Sequence, residues 1–115
     1  MEPLRPVLTI RIFTQEKCFG PGVAVLMRKV QELHSLRAAA ASIGMAYSKA
    51  WTILRHAQQE LGFSLLDSST GGKNGGGATL TPQGERLLNA YERYCAELRQ
   101  YASALFETHF HEFLR

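Results

Sequence analysis

Thr70-Gly71-Gly72-Lys73-Asn74-Gly75-Gly76-Gly77-Ala78-Thr79-Leu80-Thr81-Pro82-Gln83-Gly84 is the stretch that decides the fold. Its glycine-rich middle is too polar to hold a core of its own. Two β-prone pieces flank it, Phe63-Ser64-Leu65-Leu66 and Ala78-Thr79-Leu80, which reads as a hairpin with a glycine tip. Thr81-Pro82 then reads as a helix start, because proline's fixed φ suits the first helical position.

Upstream, residues 35–61 read as two helices joined by a tight turn. Ser35 is the N-cap of a helix over 36–43, and Ala38 to Ala41 are all small. Gly44 ends it, with the positive φ that glycine accepts most readily. A further helix covers about 47–61 and ends near Gly62. Ala50, Trp51, Leu54, Ala57 and Leu61 share its apolar face. Tyr47, Ser48, Lys49, Thr52, Arg55, His56 and Gln59 lie opposite. Small Ala40 allows a close helix crossing, and Ile43 and Met45 pin the turn. Helix, turn, helix, glycine-tipped hairpin and long helix make the outline of a winged helix-turn-helix. The fold class is therefore mainly α with a small β-wing (α+β), with residues 1–81 as the DNA-binding domain and 82–115 as a long C-terminal helix.

Working outward, residues 7–14 alternate apolar and polar, which predicts a strand with Leu8, Ile10 and Ile12 facing the core. Gly20-Pro21-Gly22 breaks the chain. Val23, Leu26, Met27, Val30 and Leu33 then line one face of a helix over 22–34. From Pro82 to about residue 107, Leu87, Tyr91, Tyr94, Leu98, Tyr101 and Leu105 recur at spacings of 4 and 3. That is a heptad seam, widened by Leu88, Cys95 and Ala102, and it predicts a dimerisation helix. About 26 residues give roughly 39 Å, more than a small domain needs to cover itself.

The chain has 115 residues and a net charge of +3. Residues 1–60 carry eight Lys or Arg against four acids, so the positive half is the half with the candidate DNA-reading helices. Two cysteines, Cys18 and Cys95, form no C-x-x-C pattern and read as reduced thiols. The start lacks a signal-peptide core and no apolar run reaches membrane-spanning length, so a cytoplasmic protein without membrane contact is expected.

Ser48, Thr52 and Arg55 stand at i, i+4 and i+7 on one stripe. Their chemistry suits base reading in the major groove, with Tyr47 and Lys49 beside them. The plain alternative is a solvated helix face. In the wing, glycines allow close approach to phosphates, Lys73 supplies charge and Asn74 a polar contact, with Arg37 assisting from the second helix. A phosphate loop of the G-x-x-x-x-G-K-[ST] kind is excluded, because Gly72-Lys73 is followed by Asn74 and the spacing is wrong. His109-x-His111 lacks a third ligand at a metal-binding spacing. No paired carboxylates or nucleophile–base set stands out, so neither an enzyme nor a cofactor is expected. The rival class is a protein-interaction module on a winged-helix scaffold, with the heptad helix binding another chain.

The Gly44-Met45-Ala46-Tyr47-Ser48-Lys49-Ala50-Trp51 turn and helix start, together with the wing from Thr70 to Thr81, resemble the N-terminal DNA-binding domain of the ModE family of bacterial molybdate-responsive regulators. Leu80-Thr81-Pro82-Gln83-Gly84 is also similar to the wing exit of LysR-type regulators. The resemblance covers roughly residues 5–107. It implies a homodimer, held by the region of the first strand and the long helix, on a two-fold related site in double-stranded DNA. It also implies control of molybdate-uptake or molybdoenzyme genes. Molybdate-sensing members carry an oxyanion-binding region after this domain, and these residues stop before one. The expectation is that they bind no molybdate themselves. A stand-alone regulator, one served by a separate effector-sensing protein, and one with other targets all remain open.

Overall fold

The computed structural model describes residues 2–69 and 77–114. A two-stranded ribbon, β1 (Ile12–Phe13) and β2 (Lys17–Phe19), leads into α1 (Pro21–Leu33), α2 (Leu36–Ser42) and α3 (Tyr47–Leu61). The wing strands β3 (Leu66–Ser69) and β4 (Gly77–Leu80) follow, then α4 (Pro82–His109) and a short 3-10 turn, His111–Phe113. Both ribbons are antiparallel. In the wing Leu66 pairs with Leu80 and Ser68 with Ala78. In the first ribbon Ile12 pairs with Phe19 and Phe13 with Lys17, around a bulge.

Local signals set the helix ends. The Ser35 hydroxyl accepts from the Ala38 amide at 3.0 Å and caps α2. Gly44 takes φ 69° in the turn, and Gly62 ends α3. Thr81 caps α4: its Oγ1 accepts from Gly84 N at 2.9 Å and donates to Ser64 O at 2.7 Å. Pro82 stands at the first helical position, as expected.

One core joins the four helices, β2 and the wing. Val23, Leu26, Met27 and Val30 of α1 meet Leu36, Ala39 and Ala40 of α2, and Ala50, Leu54 and Ala57 of α3. Ala24, Cys18, Phe19, Leu65, Ala78, Leu88, Tyr91 and Cys95 complete the buried cluster. Each fully buried leucine contributes about 1.5–3 kcal/mol over an exposed one. Leu33, placed on the apolar face of α1, is 43% exposed at the helix end.

Two strand expectations are corrected. Residues 7–11 form no strand; the ribbon is confined to 12–13 and to 17–19, the latter not expected from the pattern. Leu8 and Ile10 are half-buried and Ile12 is 37% exposed. The alternation marks which side chains turn inward, but a ladder needs a partner edge. The Ile10 carbonyl instead accepts the Tyr91 hydroxyl at 2.6 Å. The first wing strand starts at Leu66 rather than Phe63. Gln58 Oε1 of α3 accepts from both the Leu65 and Leu66 amides, at 2.8 and 3.3 Å, holding the chain to α3 before the ladder begins.

The wing is tied to the helices by short bonds. Ala78 N donates to His34 O at 3.0 Å, at the left-handed corner between α1 and α2. Thr81 N donates to Leu65 O at 3.0 Å. Gly84 passes so close to Leu65 that an added Cβ would lie 2.5 Å from the Leu65 carbonyl oxygen.

Candidate nucleic-acid interface

The turn between α2 and α3 is built from backbone. Ala40 O accepts from the amides of Ile43 and Met45, at 3.1 and 2.9 Å, and Gly44 N donates to Ala41 O at 3.1 Å. Ala39 and Ala40 are fully buried, so the absence of longer side chains sets how closely α2 approaches α3. Ile43 and Met45 pack against the core from the turn. This fixes where α3 begins, at Tyr47, and no side chain caps its first turn. A helix start of this kind favours a phosphate through its free amides.

From that start, Ser48, Lys49, Thr52 and Arg55 are exposed and Tyr47 is half-buried. Ser48, Thr52 and Arg55 lie within about 60° of one another around the axis, while Lys49 is turned about 120° from Arg55. Lys49 therefore flanks the stripe. The Thr52 hydroxyl donates to Ser48 O at 3.0 Å, so it turns an acceptor oxygen and a methyl group outward.

Arg37, on the first turn of α2, lies over the ring of Tyr47, its guanidinium carbon 4.1 Å from the centroid. The Tyr47 hydroxyl accepts from Trp51 Nε1 at 2.8 Å. Arg55 stands 6.0 Å from the Trp51 ring. Arg37, Tyr47, Trp51 and Arg55 thus form one row from the start of α2 along the first half of α3. Among the described residues Arg37, Lys49 and Arg55 have no carboxylate within ion-pair distance. Arg28 is held by Glu92, and Lys29 by Glu32. Lys73 and Asn74 lie outside the described residues. Trp51, on the apolar face as expected, packs half-buried against the core, and its indole also braces Tyr47, a role not expected from the sequence. The i, i+4 placement of an indole donor and a phenol was the available signal.

The heptad seam of α4 divides. Tyr91 is committed to its own domain: 8% exposed, it meets the Phe19 ring edge-on at 5.0 Å. Burial, then the neighbouring Cys95, pushes its phenol up to about 12. Leu87 packs against the same core. Beyond it Tyr94, Tyr101 and Leu105 are 52%, 67% and 43% exposed, with Leu98 half-buried between them. Cys18 and Cys95 are both free and buried. His109 and His111 are both exposed at the end of α4. No helix among the described residues is long and apolar enough to cross a membrane.

Residues 24–85, from the first turn of α1 to that of α4, match the bacterial regulatory helix-turn-helix proteins of the lysR family. The chain is 36% identical over 86 residues to the transcriptional regulator ModE of Haemophilus influenzae, covering 75% of this chain and 33% of that protein. It is 33% identical over 97 residues to the DNA-binding transcriptional dual regulator ModE of Escherichia coli, covering 84% and 36%. It is 38% identical over 72 residues to the molybdenum-pterin-binding protein MopB of Rhodobacter capsulatus, covering 63% and 27%. The chain spans about a third of the length of these curated relatives. With the turn, α3 and the wing exit all inside the matched stretch, the chain belongs to the lysR family of bacterial regulatory helix-turn-helix proteins.

Proposed function

We propose that this chain binds double-stranded DNA as a homodimeric transcriptional regulator, with α3 in the major groove. The observation that carries this is the exposed Ser48, Thr52 and Arg55 stripe on the second helix of the motif, where Arg55 and the nearby Arg37 and Lys49 have no carboxylate within ion-pair distance among the described residues. Arg55 reads guanine, Ser48 and Thr52 read neighbouring edges, and Lys49 contacts the backbone from the flank. Arg37 and Tyr47 contact phosphates near the starts of α2 and α3. Lys73 and Asn74 are assigned to the backbone from their place in the sequence.

Pairing of two copies uses the outer part of α4. Tyr94, Leu98, Tyr101 and Leu105 keep the heptad spacing where the helix runs past its own core. The relative named a molybdenum-pterin-binding protein supports genes of molybdenum handling as targets. A second reading, a protein-interaction module, draws on the exposed aromatics Phe110 and Phe113 at the end of the same helix.

The test is Arg55→Ala on a selected site and on an unrelated duplex. Loss of about 1–3 kcal/mol on the selected site, with little on the other, is expected. Equal loss on both removes the base-reading assignment. No binding by the parent chain favours the interaction module.

A further inference from the structure

We infer that Trp51 is a positioning residue for DNA binding, acting through Tyr47 to hold Arg37 and the Tyr47 hydroxyl ready for one backbone phosphate. The inference rests on the DNA reading above and deepens it at a residue that does not itself reach the nucleic acid.

The row across α2 and α3 alternates in function. The Trp51 indole can only donate, and it donates to the Tyr47 oxygen at 2.8 Å. With that lone pair taken, the hydroxyl keeps its own proton for a partner outside the protein. The same bond fixes the tilt of the phenol ring one helical turn away. The ring is the platform for Arg37, whose guanidinium carbon sits 4.1 Å above it. A stacked guanidinium keeps its N–H edges free, in the fork that matches a phosphate. Arg37 and Tyr47 come from different helices, so the stack sets the two donors relative to each other. Arg37 stands on the first turn of α2, the helix that crosses the backbone in helix-turn-helix docking, and Tyr47 opens α3 beside it.

Without the indole bond the ring gains freedom and Arg37 samples more rotamers before binding, an ordering cost then met on DNA. Arg55 is placed differently. At 6.0 Å from the Trp51 ring it sits at the limit of cation–π range, free to turn towards a base. Trp51 therefore serves the phosphate side and not the choice of sequence.

The experiment uses the whole chain, as parent, Trp51→Phe, Tyr47→Phe and the double variant, on a selected site and an unrelated duplex. Trp51→Phe keeps an apolar ring, and thermal melting checks the fold. Each single change is expected to weaken binding about three- to tenfold on both duplexes alike. The double variant is expected to be no weaker than Tyr47→Phe, which already removes the acceptor of the indole bond along with the hydroxyl's own phosphate contact. The chain holds a single tryptophan, so its indole N–H resonance reports the bond without DNA, and Tyr47→Phe is expected to move it. Parental affinity for Trp51→Phe, multiplicative losses in the double variant, loss on the selected site alone, or an unmoved resonance would each overturn the inference. A parent chain that binds neither duplex while the resonance still moves overturns the DNA reading and takes the inference with it.

Discussion

Gly84 and Gly22 sit in first turns of helices and should respond to alanine in opposite directions. A Cβ on Gly84 meets the Leu65 carbonyl oxygen at 2.5 Å and its carbon at 3.1 Å, and backbone cannot step aside as a flexible side chain would. Gly84→Ala should lose about 1–3 kcal/mol by overpacking, seen as a lower urea midpoint. A Cβ on Gly22 meets nothing within 4 Å, so Gly22→Ala should gain about 0.4–1 kcal/mol from the unfolded chain's lost freedom. Matching shifts would mean that Gly84 does not anchor the wing exit to α4. Tyr91 makes a pH-dependent claim. Its phenol is raised from 10.0 to about 12 in the folded chain, so folding favours the neutral form. That contribution is complete below pH 10 and is lost as pH rises from 10 towards about 12. Urea unfolding across this range should show the parent weakening, and Tyr91→Phe should lack that component of the decline.

At the scale of elements, α4 plays two parts along its length. Its first turns carry Leu88, Tyr91 and Cys95 into the core, and its later turns expose Tyr101 and Leu105. Replacing both Tyr101 and Leu105 with glutamate should halve the solution mass and leave the melting temperature of the monomeric domain near its parental value. Sedimentation velocity reads the mass, and an unchanged dimer would place the interface elsewhere. The same division marks what was legible in the sequence. The bounds of α2 and α3 were readable because Ser35, Gly44 and Gly62 act on their own neighbours. Thr81 and Pro82 announced α4 in the same local way. The exposed stripe on α3 followed from helical spacing alone. The role of Tyr91 did not, because a heptad position looks the same whether a second copy or β2 covers it. The three-residue strand β2 was missed for a related reason: its pairing depends on a bulged return of the chain. The bond from Trp51 to Tyr47 depends on two rotamers, which spacing permits but does not choose.

For the whole molecule, the long axis is the telling dimension. The chain extends 61 Å by 32 Å by 21 Å, and α4, at about 42 Å, accounts for much of that length. A helix carried past its own core, with an apolar stripe still on it, suits a second copy that sets two reading helices at a fixed separation. Two helices so held require a DNA site with two-fold symmetry and half-sites about one helical turn, 34–36 Å, or a multiple apart. The most direct test is selection of duplexes from a random pool by the chain at two salt concentrations, with the solution mass measured on the same sample. The expected result is a dimer that enriches a two-fold related sequence and whose affinity falls steeply with added salt. A monomer, or a chain of any mass that enriches no sequence at low salt, would contradict it.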